Sequence, residues 1–173
     1  MRDATFHIEA LVGGDQGDTL SDEDRRAVEE LGVASLQGNV VYLGSELAKP
    51  WTRAWLARER ADQLPCAFLV AWHVADELHV LGIAVAETVR RRGLGRELME
   101  IAQAYARQTQ IRLILLEVRR GNSAAIGLYR GLSFAAMGFR LGYYADGEDA
   151  LEMMLVLDTT TGEVVASPDE VSL

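Results

Sequence analysis

A change in the spacing of apolar residues halfway along the chain constrains the fold most. Two apolar runs of strand length, Cys66–Val74 and Leu78–Val85, are separated only by Ala75-Asp76-Glu77, which fits a hairpin turn. From Leu94 to Tyr105 the apolar residues recur at helical spacing, which predicts a helix that runs to about Gln108. A run of branched residues from Ile111 to Val118 predicts a central strand. This order predicts an α/β (α+β) chain with a mixed sheet.

The flanking segments add further predicted elements. Ser21-x-x-Asp24 is a capping box that opens a short helix ending at Gly32. We predict a second helix from Pro50-Trp51-Thr52 to just before Pro65, and a third that begins at Asn122 or Ser123 and ends near Gly131. The remaining predictions are strands over Met137–Tyr143 and Ala150–Leu157 and a polar tail over Asp158–Leu173.

Size and composition indicate one domain over residues 1–173. The 173 residues contain one cysteine and no repeat or Pro/Ser-rich linker. A single cysteine and the absence of a secretory signal pattern predict a cytoplasmic protein. The uncharged stretch of residues 63–75 is shorter than the ~20 apolar residues that a membrane helix needs, so we expect no membrane association.

The charge is unevenly distributed. A net charge of -9 argues against non-specific nucleic-acid binding. Residues 13–30 carry seven acidic side chains, whereas residues 90–130 carry nine arginines. A basic segment in an acidic protein suggests a local anion site, with a solvated helix face as the alternative.

Arg90-Arg91-Arg92-Gly93-Leu94-Gly95-Arg96 lies between a predicted strand and a predicted helix. Glycines let the backbone approach a ligand closely, and a helix N-terminus offers unpaired N–H groups to an anion. The segment therefore suits a pyrophosphate. It is neither a P-loop nor a complete dinucleotide fingerprint, and simple turn chemistry is the alternative.

Several motifs occur together in the order and spacing of a known superfamily. They are Ile83-Ala84-Val85, the R-x-x-G-x-G at Arg90–Gly95, Leu116-Glu117-Val118-Arg119, Asn122-Ser123-Ala124-Ala125 and Leu128-Tyr129-Arg130-Gly131-Leu132-Ser133-Phe134. The chain resembles the GNAT N-acetyltransferases, and within them the RimI-type ribosomal-protein-alanine N-acetyltransferases. The resemblance is strong over residues 66–157, which would form the catalytic core, and weak over the divergent residues 1–49.

The resemblance implies a mostly antiparallel central sheet flanked by helices, with a V-shaped opening between two central strands. It also implies acetyl-CoA as co-substrate and no metal. The resemblance implies that three groups of residues contact acetyl-CoA. The backbone of Ile83, Ala84 and Val85 would pair with the pantetheine amides, and Asn122 would contact the same arm. The pyrophosphate would be held by backbone N–H groups of Arg91, Arg92, Gly93, Leu94, Gly95 and Arg96. A plain N-cap is the structural alternative for Asn122.

Glu117 is the candidate general base. An α-amine is largely protonated near neutrality, so a base must remove a proton before the nitrogen attacks a thioester. Glu117 lies in the run Ile-Arg-Leu-Ile-Leu-Leu-Glu-Val, and apolar neighbours would raise its pKa toward the useful range. The resemblance implies the same role. The alternative is a buried glutamate paired with Arg112 or Arg119.

Tyr129 is the candidate general acid, because the resemblance implies a tyrosine at this spacing that protonates the departing CoA thiolate. Without the resemblance, a tyrosine beside Ile126 and Leu128 would be assigned to the core. The resemblance also implies that Glu77, Tyr143 and Tyr144 line the acceptor side. The alternative for Glu77 is an ordinary carboxylate in a turn, and the alternative for the two tyrosines is packing against the sheet.

Two departures from the family pattern are visible. One strand before Cys66 is apparently missing or displaced toward Asn39–Leu43. Ser133 replaces the glycine expected before Phe134, and Gly131 would then absorb the strain of the turn.

The leading hypothesis is acetyl transfer to a protein N-terminal α-amine, an alanine of a small-subunit ribosomal protein. Transfer to a lysine or a small amine is an alternative, because the same catalytic pair would serve. A non-catalytic CoA-binding regulatory module is another.

Overall fold

The computed structural model describes residues 5–14, 20–35 and 41–172. Within these residues the strands are β1 (Phe6–Val12), β2 (Thr52–Glu59), β3 (Pro65–Val74), β4 (Glu77–Val85), β5 (Leu113–Arg119), β6 (Ala135–Arg140), β7 (Ala150–Leu157) and β8 (Val164–Val165). The helices are α1 (Asp22–Ser35), α2 (Leu43–Leu47), α3 (Leu94–Gln108) and α4 (Ser123–Arg130). The strand order is β1-β2-β3-β4-β5-β7-β6, and β8 pairs with β7.

The chain forms two compact units that are interleaved along the sequence. The first comprises Met1–His73 and Leu81–Met99. In it β2 pairs antiparallel with β1 and with β3, and Leu31, Leu43 and Leu47 from α1 and α2 pack in one apolar cluster with residues of β2 and β3 such as Phe68. Single-domain organisation over residues 1–173 stays a prediction.

The second unit comprises Val74–Val80 and Glu100–Leu173. Here β4 and β5 form a parallel pair from Glu77↔Leu113 to Val80↔Leu116. β7 pairs antiparallel with β5 on one side and with β6 on the other. The predicted mixed, mostly antiparallel sheet with flanking helices is confirmed.

Helix α3 follows its apolar pattern closely. Leu94, Leu98 and Ala102 are buried along one stripe, as the helical spacing requires. The capping box of α1 is also confirmed, because the backbone N–H of Asp24 donates to Ser21 Oγ at 3.1 Å. α1 nevertheless runs past Gly32 to Ser35.

The helix predicted between Pro50 and Pro65 is wrong. Thr52–Glu59 is strand β2, which pairs with β1 along one edge and with β3 along the other, and its central residues Ala54–Ala57 are all buried. Pairing and burial therefore override the helix propensity of this segment. β2 is the strand that seemed to be missing; of the proposed replacement, Asn39 and Val40 lie outside the described residues, and Leu43 begins α2.

β1 was not predicted, although Phe6, Ile8 and Ala10 alternate with polar His7 and Glu9 as in a half-buried strand. The acidic segment 13–30 is described only in part, because residues 15–19 lie outside the described residues.

Two predictions around β6 need correction. β6 ends at Arg140 rather than Tyr143, because Gly142 turns the chain at φ +59° and its N–H donates to Asp149 Oδ1 at 3.0 Å. Ser133 itself takes the left-handed conformation, with φ +69°, so Gly131 does not absorb the turn.

The tail after Asp158 is tied to the fold. Asp169 Oδ1 accepts from the Ala136 N–H at 2.8 Å, and the Glu170 N–H donates to the Ala136 carbonyl at 2.8 Å. Asp169 also forms an ion pair with Arg130. The tail therefore covers part of β6.

Candidate functional site

The arginine loop, residues 90–96, has an irregular backbone that ends in a helix. A 3-10 turn over Glu87–Val89 leads into it, and Arg91 and Gly93 adopt φ values of +65° and +83°. The Gly93 carbonyl accepts from the Glu97 N–H at 3.0 Å, which is the first hydrogen bond of α3. Positive φ values before a helix turn backbone N–H groups toward one concave side, where an anion can bind.

Side chains anchor this loop to the first unit. The Arg92 Nη2 donates to Thr5 Oγ1 at 2.8 Å, and its guanidinium lies 4.5 Å from the centre of the Phe6 ring. The Arg90 Nε donates to the Val85 carbonyl at 3.1 Å. Two arginines of the motif therefore hold the loop's shape.

Ile83, Ala84 and Val85 lie in the second half of β4. The parallel pairing with β5 ends at Val80↔Leu116, so these three residues lie outside the paired stretch. Ala84 is buried and the other two are half-buried.

Strand alternation decides the environment of Glu117 in β5. Leu116 and Val118 are buried, so the Glu117 side chain points to the other face and is exposed. The Arg140 Nη1 donates to Glu117 Oε1 at 2.7 Å. The expectation of an apolar environment for this carboxylate is therefore wrong.

The arginines considered as partners for Glu117 have other carboxylates. Arg112 pairs with Asp76 at 2.9 Å. The Arg119 Nη1 donates to Glu148 Oε2 at 2.6 Å and to Asp146 Oδ2 at 2.9 Å. Arg140 takes the place assigned to them.

Tyr143 and Tyr144 lie in the loop after β6. Their rings meet edge to face, with centres 5.2 Å apart. Arg140 lies 5.0 Å from the Tyr143 ring centre, and Arg119 lies 4.0 Å from that of Tyr144. Burial raises the pKa of Tyr144 to about 12, and the Glu117 charge contributes to the shift. Glu117 and the two tyrosines are therefore brought together.

Glu148 joins this loop to the turn before α4. Its Oε2 accepts from Arg119, and its Oε1 accepts from the Gly121 N–H at 2.8 Å. α4 itself begins at an N-cap, since Asn122 Oδ1 accepts from the Ala125 N–H at 3.1 Å. Glu148 therefore links residues 141–149, here called the tyrosine loop, to the turn that precedes the helix carrying Tyr129.

Tyr129 is buried near the end of α4, with its ring centre 5.9 Å from that of Phe134. Burial raises the pKa of Tyr129, and the neighbouring Tyr144 adds to the shift. The phenol therefore stays protonated at neutral pH and can donate a proton.

Glu77 lies away from this group. It begins β4 opposite Leu113, and its Oε2 is 2.6 Å from His79 Nε2. Leu113 is four residues before Glu117 in β5, which corresponds to about 13 Å along the strand. The register therefore separates Glu77 from Glu117 and the two tyrosines.

The comparisons with known proteins place these features in a family. Residues 21–134 match the family model for the acetyltransferase (GNAT) family. The chain belongs to this family. It is an N-acetyltransferase, and acetyl-CoA is the acetyl donor that the GNAT family uses.

Two curated relatives and one solved structure narrow the resemblance. The chain is 41% identical over 98 residues to the ribosomal protein bS18-alanine N-acetyltransferase of Salmonella typhimurium, covering 55% of this chain and 66% of the relative. It is 40% identical over 121 residues to the Escherichia coli K12 enzyme of that name, covering 62% and 82%. The crystal structure of the Escherichia coli ribosomal-protein-S18-alanine N-acetyltransferase shares the fold, with TM-score 0.71, 24% identity and coverage of 97% and 99%.

Two residues beside Glu117 were not predicted from the sequence. Arg140 and Glu152 surround Glu117, and Glu152 lies directly opposite it on β7. Adjacent strands bring them together, and that pairing is not visible in one sequence. The only available signal was the polar Glu152 within an otherwise apolar strand.

Metal and membrane features complete the description. Among the described residues, no group of three or more His, Cys, Asp and Glu side chains could hold a metal ion. None of the helices described is both long enough and apolar enough to span a bilayer.

Proposed function

We propose that this protein transfers the acetyl group of acetyl-CoA to the α-amine of a protein N-terminus, with an alanine of a small-subunit ribosomal protein as acceptor. The observation that carries the proposal is the position of Glu117. Its exposed carboxylate lies beside Tyr143 and Tyr144, and the unit that holds it also holds the buried phenol of Tyr129. The names of the relatives support the acceptor class.

Charge favours a cationic acceptor at this place. The ion pairs of the tyrosine loop and of the neighbouring Arg140 involve five carboxylates and three guanidinium groups. They are Glu117, Asp146, Glu148, Asp149 and Glu152, with Arg119, Arg120 and Arg140. The excess negative charge attracts an ammonium group.

Acetyl-CoA supplies an activated acetyl thioester and a sulfur leaving group. Glu117 takes a proton from the acceptor ammonium, directly or through water, so that the neutral amine can form the new N–C bond. Glu117 then releases its proton to water, and the new amide nitrogen gives its second proton to the Tyr129 phenolate, which formed when the phenol gave its proton to the sulfur as the C–S bond broke. The raised pKa of Tyr129 keeps that proton in place beforehand.

The arginine loop is the proposed pyrophosphate site. Its donor set fits the group, because backbone N–H groups at the start of α3 and the guanidinium groups of Arg91 and Arg96 suit a dianion. Ile83, Ala84 and Val85 lie beyond the β4–β5 pairing, and the proposal assigns them to the pantetheine arm, together with Asn122. A role for Glu77 in acceptor binding finds no support in its position.

Mass spectrometry of peptides incubated with the protein and acetyl-CoA tests the function. One peptide has the free alanine N-terminus of a ribosomal protein, and its matched control has a blocked N-terminus and an internal lysine. Acetylation of the free α-amine alone is the expected result. Acetylated lysine, or acetyl-CoA binding without CoA release, would replace the proposal by a side-chain acetyltransferase or a regulatory module.

A further inference from the structure

Two carboxylates face each other across adjacent strands at the proposed base. Glu117 on β5 is directly opposite Glu152 on β7 in the antiparallel register. Like charges in such a pair repel and destabilise the sheet. Arg140 of β6 lies against both, with Nη1 2.7 Å from Glu117 Oε1 and Nε 3.6 Å from Glu152 Oε1. One guanidinium therefore serves two carboxylates, and the short contact is with Glu117.

β6 is shaped to leave room for Glu152. Gly138 pairs with Glu152, and the β6–β7 register shifts between Ala136 and Gly138. A Cβ atom at Gly138 would lie 3.2 Å from Glu152 Oε2, closer than side chains normally pack. The absence of a side chain at Gly138 keeps this carboxylate beside Arg140.

A guanidinium beside a carboxylate lowers its affinity for a proton, so the withdrawal of Arg140 would make Glu117 a stronger base. Glu117, Glu152 and Arg140 together carry a net charge of -1, so one further cation neutralises them. An incoming ammonium would compete with Arg140 for Glu117. A movement of less than about 1 Å would bring Arg140 into full contact with Glu152 instead.

We infer that Arg140 is a positioning residue that holds Glu117 in the free enzyme and moves to Glu152 when the cationic acceptor arrives. Glu152 is the second carboxylate that the guanidinium can bind. The inference rests on the proposed function in one respect, the role of Glu117 as base. The other groups near Glu117 are Tyr144 and, against Arg140, Tyr143. Arg119, which pairs with Asp146 and Glu148, lies against the Tyr144 ring.

The two partners of Glu117 have opposite expected effects on the pH profile. In Arg140→Leu, two unneutralised carboxylates retain protons more strongly, so the acidic limb of kcat/KM moves about one pH unit upward. In Glu152→Gln the repulsion disappears and the limb moves downward. Because Arg140 then has no second carboxylate to bind, KM for the acceptor rises about tenfold at pH 8, while kcat changes less than twofold.

Matched variants separate this role from general damage. Arg140→Lys keeps the charge and should restore most of the wild-type profile. Arg60→Leu and Glu163→Gln change the same residue types at exposed positions and should leave the profile unchanged. Parallel movement of the limb in Arg140→Leu and Glu152→Gln, or no movement in either, would overturn the inference.

A measurement without turnover distinguishes failure of this inference from failure of the proposed function. The carboxyl carbon of Glu117, followed by NMR in the full chain without substrates, should titrate at higher pH in Arg140→Leu and at lower pH in Glu152→Gln. These opposite shifts support the coupling even if peptides are not acetylated. Unchanged titration curves beside normal peptide acetylation would remove the coupling and leave the proposed function standing.

Discussion

The arginine loop and the carboxylate cluster around Glu117 are built in different ways. In the loop, positive φ values at Arg91 and Gly93 shape the main chain, and the helix start of α3 supplies N–H groups. In the cluster, ion pairs and ring contacts between side chains fix the geometry, with Arg140 and Arg119 each shared by two carboxylates.

This difference indicates how each region tolerates change. A site made mainly of main chain depends most on the few residues that permit its backbone conformation, and each charged side chain around it adds a smaller share. A site made of interlocking side chains depends on almost every member, because removing one leaves its partner's charge unmatched. Substitutions in the two regions should therefore produce different kinetic signatures.

The largest expected effect is that of Glu117→Gln. Removing a general base lowers kcat by about 100-fold, since the amide cannot accept the proton. The Kd for acetyl-CoA should not change, because no cluster side chain contributes to the main-chain site. Steady-state kinetics and calorimetry measure the two quantities, with Glu163→Gln as control. A variant with wild-type kcat would end the assignment of Glu117 as base.

Tyr129→Phe should have the next largest effect. Phenylalanine keeps the buried packing against Phe134 but cannot protonate sulfur, so kcat falls by about 30-fold with little loss of stability. In the wild type, the raised pKa of Tyr129 means that the acid is lost only above the pH of an ordinary tyrosine. The wild-type kcat should therefore stay level up to about pH 10.

The control for this prediction is Tyr42→Phe, which changes an exposed tyrosine outside the cluster. CoA release is followed with a thiol reagent across the pH range. A basic limb near pH 8 that disappears in Tyr129→Phe would contradict the assigned protonation state.

The smallest effect comes from a matched pair of glycines. Gly93 and Gly147 have φ values of +83° and +85°, and a Cβ atom at either position would meet nothing within 4 Å. Alanine at either site costs about 1 kcal/mol of backbone strain. We expect Gly93→Ala to weaken acetyl-CoA binding about fivefold, and Gly147→Ala to raise only the acceptor KM by about threefold.

Calorimetry and initial rates distinguish the two variants, and thermal unfolding checks that both lose similar stability. If both substitutions alter acetyl-CoA binding equally, the two regions do not act separately.

Local sequence patterns predicted those helices and strands for which the apolar spacing agrees with the packing in the folded chain. α3 has a clear apolar stripe and a motif at its start, and its predicted span matches the structure. Thr52–Glu59 has helix-forming residues but lies between two strands, so distant pairing decided its structure. No local pattern carries that information.

The site residues divide in the same way, because motifs indicate some of them and only distant strand pairing indicates the others. The resemblance identified Glu117, Tyr143 and Tyr144, which lie together in the structure. It could not reveal Arg140 as the partner of Glu117, because 23 residues separate them and the contact depends on the strand order β5-β7-β6. The Glu77 prediction had no such support, since its place on β4 is set by the parallel register.

The bonds between Ala136 and residues 169 and 170 also have a consequence for biosynthesis. On the ribosome, Ala136 of β6 is made 33 residues before Asp169, which with Glu170 completes the hydrogen bonding of its backbone. Until these two residues have been made, the backbone of Ala136, in the strand that carries Arg140, lacks its hydrogen bonds to them. The hydrogen bonding of the strand that carries Arg140 is therefore completed only after residues 169 and 170 have been synthesised.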